Sequence, residues 1–108
     1  MTEAQLQRKV TDYARKRGVF ARKLVAVNYN GFPDVFMAYQ GEAWFLELKT
    51  PKKTGRLSAL QEITIEDMRD QGLHVYVSSD YDHAITIINK HINHATKNRL
   101  NAGTKCGG

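Results

Sequence analysis

The stretch from Pro33 to Thr50 constrains the fold more than any other part of the chain. It reads as two strands, Pro33 to Tyr39 and Glu42 to Thr50, joined at Gln40-Gly41. Val35, Met37, Trp44, Leu46 and Leu48 fall on one face of this pair, and Phe36, Ala38, Ala43 and Phe45 on the other. A sheet that is apolar on both faces has to be covered on both sides. The pattern therefore predicts a three-layer α/β sandwich.

The flanking elements supply the covers. Thr2 and Gln5 form a capping box, and the stripe Leu6, Val10, Tyr13, Ala14 carries a helix to about Lys16, ended by Gly18. Val19 to Val27 reads as a strand interrupted by Arg22 and Lys23, and Asn28 to Gly31 carries turn chemistry. After a polar, basic loop from Pro51 to Leu57, a second capping box of Ser58 and Gln61 opens a helix to about Gln71, closed by Gly72. Leu73 to Ser78 is a short strand. Asp80 caps a third helix whose stripe is Ala84, Ile88, Ile92 and Ala95. From Thr96 the periodicity stops, so a folded domain over 1–95 and a flexible basic, Gly-rich tail over 96–108 are expected. A chain of 108 residues suits one domain with one modest core.

No apolar run approaches the ~20 residues that cross a bilayer, and the N-terminus lacks the apolar stretch of a signal peptide. The one cysteine, Cys106, offers neither a disulfide framework nor a Cys-based zinc site. An intracellular, cytoplasmic setting without a membrane is expected. The formal net charge is +5, and the excess is clustered. Arg8, Lys9, Arg15, Lys16, Arg17, Arg22 and Lys23 make one group, Lys52, Lys53 and Arg56 a second, and Lys90, Lys97, Arg99 and Lys105 a third. Clusters of this kind suit a polyanionic partner, although basic faces are also commonly just solvated.

The chemistry sits at the far end of the strand pair. If Gln40-Gly41 is a two-residue hairpin loop, Tyr39 pairs with Glu42, and counting back sets Asp34 opposite Glu47 on one face. Lys49 lies two residues further along that face. Carboxylates so placed on an apolar sheet repel, and need a shared proton or a cation. A bulged loop would shift the register by one and leave the two acids as diagonal neighbours. Held together, they suit Mg²⁺ or Mn²⁺ and a substrate phosphate, and Lys49 can orient water or neutralise transition-state charge. Glu-x-Lys alone is weak, because surface strands often alternate acid and base. Glu3 should point towards the sheet, although a first-turn acid is also favoured by the helix dipole. Gln61 should face inward as well as capping its helix. Lys52, Lys53 and Arg56 follow Lys49 directly and would contact backbone phosphates, as would Arg22 and Lys23.

With these residues in place, GFPDVF, FLELKTPKKTGRLSALQ, GLHVYV and the closing helix resemble the virus-type replication-repair nuclease (VRR-NUC) domain of the PD-(D/E)XK nuclease superfamily, over roughly residues 2–92. The resemblance implies a restriction-endonuclease-like αβββαβ(α) sandwich with a central mixed sheet. It implies that Asp34 and Glu47 bind metal, with the backbone carbonyl of Leu48 as a further ligand, and that Lys49 is catalytic. Gln61 is implied as an accessory site residue, and Glu3 as the N-terminal helix acid of related junction resolvases. Small stand-alone members resemble homodimers that cut branched DNA such as Holliday junctions. The alternatives are a duplex nicking or restriction-like nuclease, and a non-catalytic DNA-binding module on the same fold. His83, His91 and His94 lie on the third helix with no carboxylate set beside them, so no zinc site is expected, and His74 reads as structural. Ile63, opposite its helix's core stripe, and the strand edge at Val19 to Val27 are the candidate dimer contacts.

Overall fold

A computed structural model describes residues 1–24, 31–50 and 57–106, with side chains up to residue 99. The element order is α1 (Glu3–Lys16), β1 (Phe20–Lys23), β2 (Val35–Tyr39), β3 (Glu42–Leu48), α2 (Ala59–Asp70), β4 (Val75–Ser78) and α3 (Tyr81–Cys106). The strands form one sheet in the order β1-β2-β3-β4. β1, β2 and β3 are antiparallel neighbours, whereas β4 runs parallel to β3. A parallel pair needs a crossover, and α2 supplies it. The result is the mixed αβββαβα sandwich expected of the sequence.

The hairpin between β2 and β3 fixes the register. Gln40 (φ 45°) and Gly41 (φ 90°) both lie in the left-handed region, as a type I′ turn requires. Tyr39 then pairs with Glu42 and Val35 with Leu46, without a bulge. Strand alternation divides the sheet into the two apolar faces. Val35, Met37, Trp44, Leu46 and Leu48 are fully buried under Leu6, Val10 and Ala14 of α1 and Ala84, Ile88 and Ile92 of α3. Phe45, Val75 and Val77 pack under Ile65 and Met68 of α2. Phe36 stacks obliquely on Phe45 across β2 and β3, with ring centroids 5.2 Å apart.

Both capping boxes form. Thr2 and Gln5 exchange side-chain and backbone hydrogen bonds at the start of α1, and Ser58 and Gln61 do so at α2. Asp80 accepts from the His83 N–H at the start of α3. Gly31 meets α2 so closely that a Cβ there would lie 2.9 Å from the Leu60 carbonyl oxygen, so only glycine brings this segment against the helix.

Two expectations change. The first strand is shorter than Val19 to Val27: it ends at Lys23, and residues 25–27 lie outside the described residues, as do Asn28 to Asn30 of the expected turn. The third helix is longer, running through Thr96 to Cys106. Ala95 is still buried, and the Thr96 hydroxyl donates back to the Ile92 carbonyl, so the helix continues where the apolar stripe ends. Among the described residues, no helix is long and apolar enough to cross a membrane.

Candidate active site

Extending the β2–β3 register by one step brings Asp34 opposite Glu47, as the two-residue turn demands. Leu24 donates its N–H to the Asp34 carbonyl at 2.7 Å, so β1 helps to hold this end of β2. Asp34 follows Pro33, a buried residue with no N–H to offer the ladder, which places the Pro-Asp step just outside the strand. Glu47 is wholly buried, an unusual position for a carboxylate.

Three donors converge on it. The Asp34 backbone N–H donates to Glu47 Oε1 at 3.1 Å, the Gln61 side-chain amide donates to Oε2 at 3.0 Å, and Lys49 Nζ lies 3.2 Å from Oε2. Lys49 also reaches Glu3 Oε1 at 3.8 Å. Lys49 itself is fixed by its backbone, whose N–H donates to the Ser78 carbonyl of β4 at 2.9 Å. Burial first, and then the negative charge of Asp34, push the Glu47 carboxyl up to about 7 against the opposing pull of Lys49. Two acids that cannot comfortably both ionise thus sit beside one lysine.

The structure therefore brings Asp34, Glu47, Lys49, Gln61 and Glu3 into one constellation. Gln61 caps α2 through its carbonyl oxygen and holds Glu47 through its amide. Replacing Gln61 by Ala removes both contacts. Thermal melting should show a loss of about 1 kcal/mol, the scale of a helix cap. An unchanged melting temperature would mean that the cap is idle in solution.

Sequence neighbours Arg22 and Lys23 are separated by the pleat. Arg22 pairs with Phe36 and shares the face of Asp34 and Glu47, its guanidinium 4.3 Å from the Phe20 ring. Lys23 pairs with Val35 and so belongs to the opposite face. Lys52, Lys53 and Arg56 lie outside the described residues.

Whether a cation suits the site depends on its donors. Hard carboxylate oxygens from Asp34 and Glu47 meet the preference of Mg²⁺, which takes one or two carboxylates and leaves other positions to water and phosphate. Among the described residues no three His, Cys, Asp or Glu side chains gather around a metal position, so an all-protein cage is not what this site offers. The Leu48 side chain is buried in the core, which leaves its backbone carbonyl as the group it could contribute. Burial first and the charge of Asp34 second raise the Glu47 pKa, and a divalent cation between the two acids would favour the ionised form. The residues present fit such an ion.

A second cluster was not legible beforehand. The expectation placed no carboxylate beside the α3 histidines, but Glu42 at the start of β3 contacts two of them. Its Oε1 lies 2.8 Å from His91 Nδ1 and its Oε2 2.9 Å from His94 Nδ1. The contact spans 49 positions of sequence and depends on how α3 lies on the sheet.

No family model matches the chain, and no curated protein matches it in sequence. Among solved structures it is similar to one described as a VRR_NUC domain, at 23% identity and a TM-score of 0.70, covering 82% of this chain and 97% of that chain. The chain has the VRR_NUC fold. A likeness at this identity speaks for architecture. The chemistry has to be argued from the side chains.

Proposed function

We propose that the protein is a divalent-metal-dependent endonuclease that hydrolyses DNA phosphodiester bonds, acts on branched DNA, and works as a homodimer. The observation that carries this reading is a fully buried Glu47 set opposite Asp34 with Lys49 Nζ 3.2 Å away at the end of the strand. Pure DNA binding gains nothing from two acids facing a phosphate, and the repulsion between them weakens the fold. Their presence makes sense where a cation and a scissile phosphate meet.

A Mg²⁺ or Mn²⁺ ion held by Asp34 and Glu47, with the Leu48 carbonyl, would polarise a phosphate oxygen and acidify bound water. Lys49 supplies fixed positive charge where the phosphorane builds negative charge, at a point shielded from solvent. Glu3 holds the lysine from the far side and limits its swing. Gln61 and the Asp34 N–H lock the Glu47 carboxylate in one orientation, so that it need not reorganise during the reaction. Arg22 stands on the same face, where it can meet a neighbouring backbone phosphate.

The raised Glu47 pKa has a consequence for metal binding. A proton on Glu47 competes with the ion, so Mg²⁺ affinity should climb as pH rises through about 7. Between pH 6 and pH 8 the gain should be roughly tenfold, the change in the ionised fraction of such a group. Calorimetric Mg²⁺ titrations at the two pH values measure it. Equal affinities would show that Glu47 is already ionised in the metal-free protein.

A homodimer would set two such sites on one junction and match the substrate's symmetry. Ile63 is 55% exposed, and β1, the described part of the other expected contact, is an edge strand with Phe20 exposed. The direct experiment compares cleavage of a four-way junction and a linear duplex, with and without Mg²⁺, alongside light scattering across protein concentrations. Mg²⁺-dependent paired cuts in the junction by a dimer support the reading. Equal cutting of both substrates would replace it by the duplex nuclease, and no cutting of either by the binding module.

A further inference from the structure

The proposed nuclease chemistry leaves unused the histidines of α3 and the basic residues beside them. Glu42 and Glu47 stand at opposite ends of β3, five residues or roughly 17 Å apart at strand rise, and on opposite faces of the sheet. Around Glu42, α3 and the β3–β4 edge enclose a cleft of about 370 Å³. That volume lies within the ~300–1,000 Å³ usual for small-molecule sites.

Its interior is built around one imidazole. His91 is 3% exposed and lies flat on Trp44, with ring centroids 4.3 Å apart and 6° between planes. Both its nitrogens are used: Nδ1 meets Glu42 Oε1 and Nε2 meets the Tyr76 hydroxyl, each at 2.8 Å. Burial pushes the Glu42 carboxyl up, but hydrogen bonds and charge from His91 and His94 outweigh it and hold the group below its ordinary value. Burial pushes His91 down, beyond what Glu42 restores. An ionised Glu42 can only accept, so a neutral His91 must donate from Nδ1 and accept at Nε2. Tyr76, which lines the cleft, therefore spends its proton on His91, and its oxygen is left as an acceptor only.

The rim has the opposite character. Lys90, His94 and Lys97 line it from successive turns of one face of α3. Lys90 Nζ stands 5.7 Å from the Tyr76 ring centre. The exposed ring of His74 closes the other wall, 5.3 Å from His91. A fitting ligand must bring a hydrogen-bond donor to Tyr76, a flat ring to His74 and negative charge to the lysines. A metal does not suit the site: His91 has no free nitrogen, and among the described residues no three metal-binding side chains are arranged to hold one.

We propose that this cleft is a second ligand site that takes one nucleotide unit, its base presenting an amine to Tyr76 and its phosphate lying on Lys90 and Lys97. A free nucleotide and a nucleotide within an unpaired strand offer the same chemistry. The site stands apart from the Asp34–Glu47 constellation, so it stands or falls independently of the nuclease reading.

Trp44 is the only tryptophan of the chain and reports directly on His91. The full chain, kept in EDTA so that no cation enters the other site, is titrated with deoxyadenosine monophosphate while Trp44 fluorescence is followed. Thymidine monophosphate, which lacks an exocyclic amine, inorganic phosphate and a short 5′-phosphorylated oligodeoxynucleotide are titrated in parallel. We expect a saturable change with deoxyadenosine monophosphate, and binding at least about tenfold weaker for inorganic phosphate. The double variant Lys90→Gln, Lys97→Gln changes only surface residues and should weaken the nucleotide about tenfold or more. Tyr76→Phe should bring deoxyadenosine monophosphate down to the affinity of thymidine monophosphate. Tighter, lysine-dependent binding of the oligonucleotide would identify a strand as the source, and tighter binding of the mononucleotide a free ligand. No response to any nucleotide, equal binding of inorganic phosphate, or indifference to the lysine variant would overturn the proposal.

Discussion

Asp34→Asn should abolish Mg²⁺-dependent cleavage while leaving the metal-free protein at least as stable as the parent. The substitution keeps the shape of the side chain and removes one of two opposed charges. It also leaves intact the Asp34 backbone N–H that donates to Glu47. Glu47→Gln should be equally inactive but is a less clean variant. Both Glu47 oxygens already accept, from Asp34, Gln61 and Lys49, so an amide would turn its own donor against one of them. A clash of that kind costs about 1–3 kcal/mol. Stability as a function of pH separates the two effects. The folded pKa of Glu47 is raised from 4.5 to about 7, by burial first and Asp34 second. A raised pKa gives a contribution that is full below pH 4.5 and is lost as pH rises through about 7. A tenfold change in proton affinity corresponds to about 1.4 kcal/mol. Denaturation of the metal-free parent should thus become easier from pH 5 to pH 8, and Asp34→Asn should flatten that slope. Added Mg²⁺ should restore the parent at pH 8 and do little for the variant. Full cleavage by Asp34→Asn would eliminate the proposed site.

Lys49→Ala should lower turnover by roughly 10²-fold or more, the scale of losing one preorganised electrostatic group. Affinity for DNA should fall far less, because the substrate's other phosphates keep their contacts. The structure adds a second effect with its own signature. Lys49 holds Glu47 down against burial and Asp34, so without it the Glu47 pKa should climb further. The Mg²⁺ dependence of the variant should then move to higher pH. Measuring turnover at saturating Mg²⁺ and high pH isolates the loss of transition-state charge. A variant that binds DNA poorly but turns over normally under those conditions would demote Lys49 to a phosphate contact.

The grouping of the candidate site's residues is legible in the sequence because local rules position them. Gln40-Gly41 marks the turn but leaves a bulged loop open; once the structure shows two residues and no bulge, the pairing of Asp34 with Glu47 is arithmetic. Gln61 was legible for a similar reason. Its distance from Ser58 makes a capping box, and the stripe through Ile65 and Met68 turns the same residue inward. What stayed hidden depends on docking. Nothing local to Glu42 announces His91 and His94, because the angle of α3 on the sheet is set by Trp44, Leu46, Ile88 and Ile92 together. The end of α3 is hidden from the sequence because apolar periodicity reports burial, and a helix can continue once its face leaves the core.

The Gln40-Gly41 turn lies at the opposite end of the hairpin from the two acids, yet it acts as their gauge. Each residue pair between Tyr39–Glu42 and Val35–Leu46 is counted off from it without a bulge to absorb an error. One residue added at the turn has two outlets. It can loop out at the tip, or it can slide β3 past β2 and turn the whole strand over, sending Glu47 to the opposite face while Trp44 and Leu46 leave the core they now fill. Length at this tip is therefore under a constraint that its exposure and its distance from the chemistry would never suggest. Variation between homologues should be rare in the number of residues between the strands, and at position 40 should keep to residue types that tolerate a positive φ.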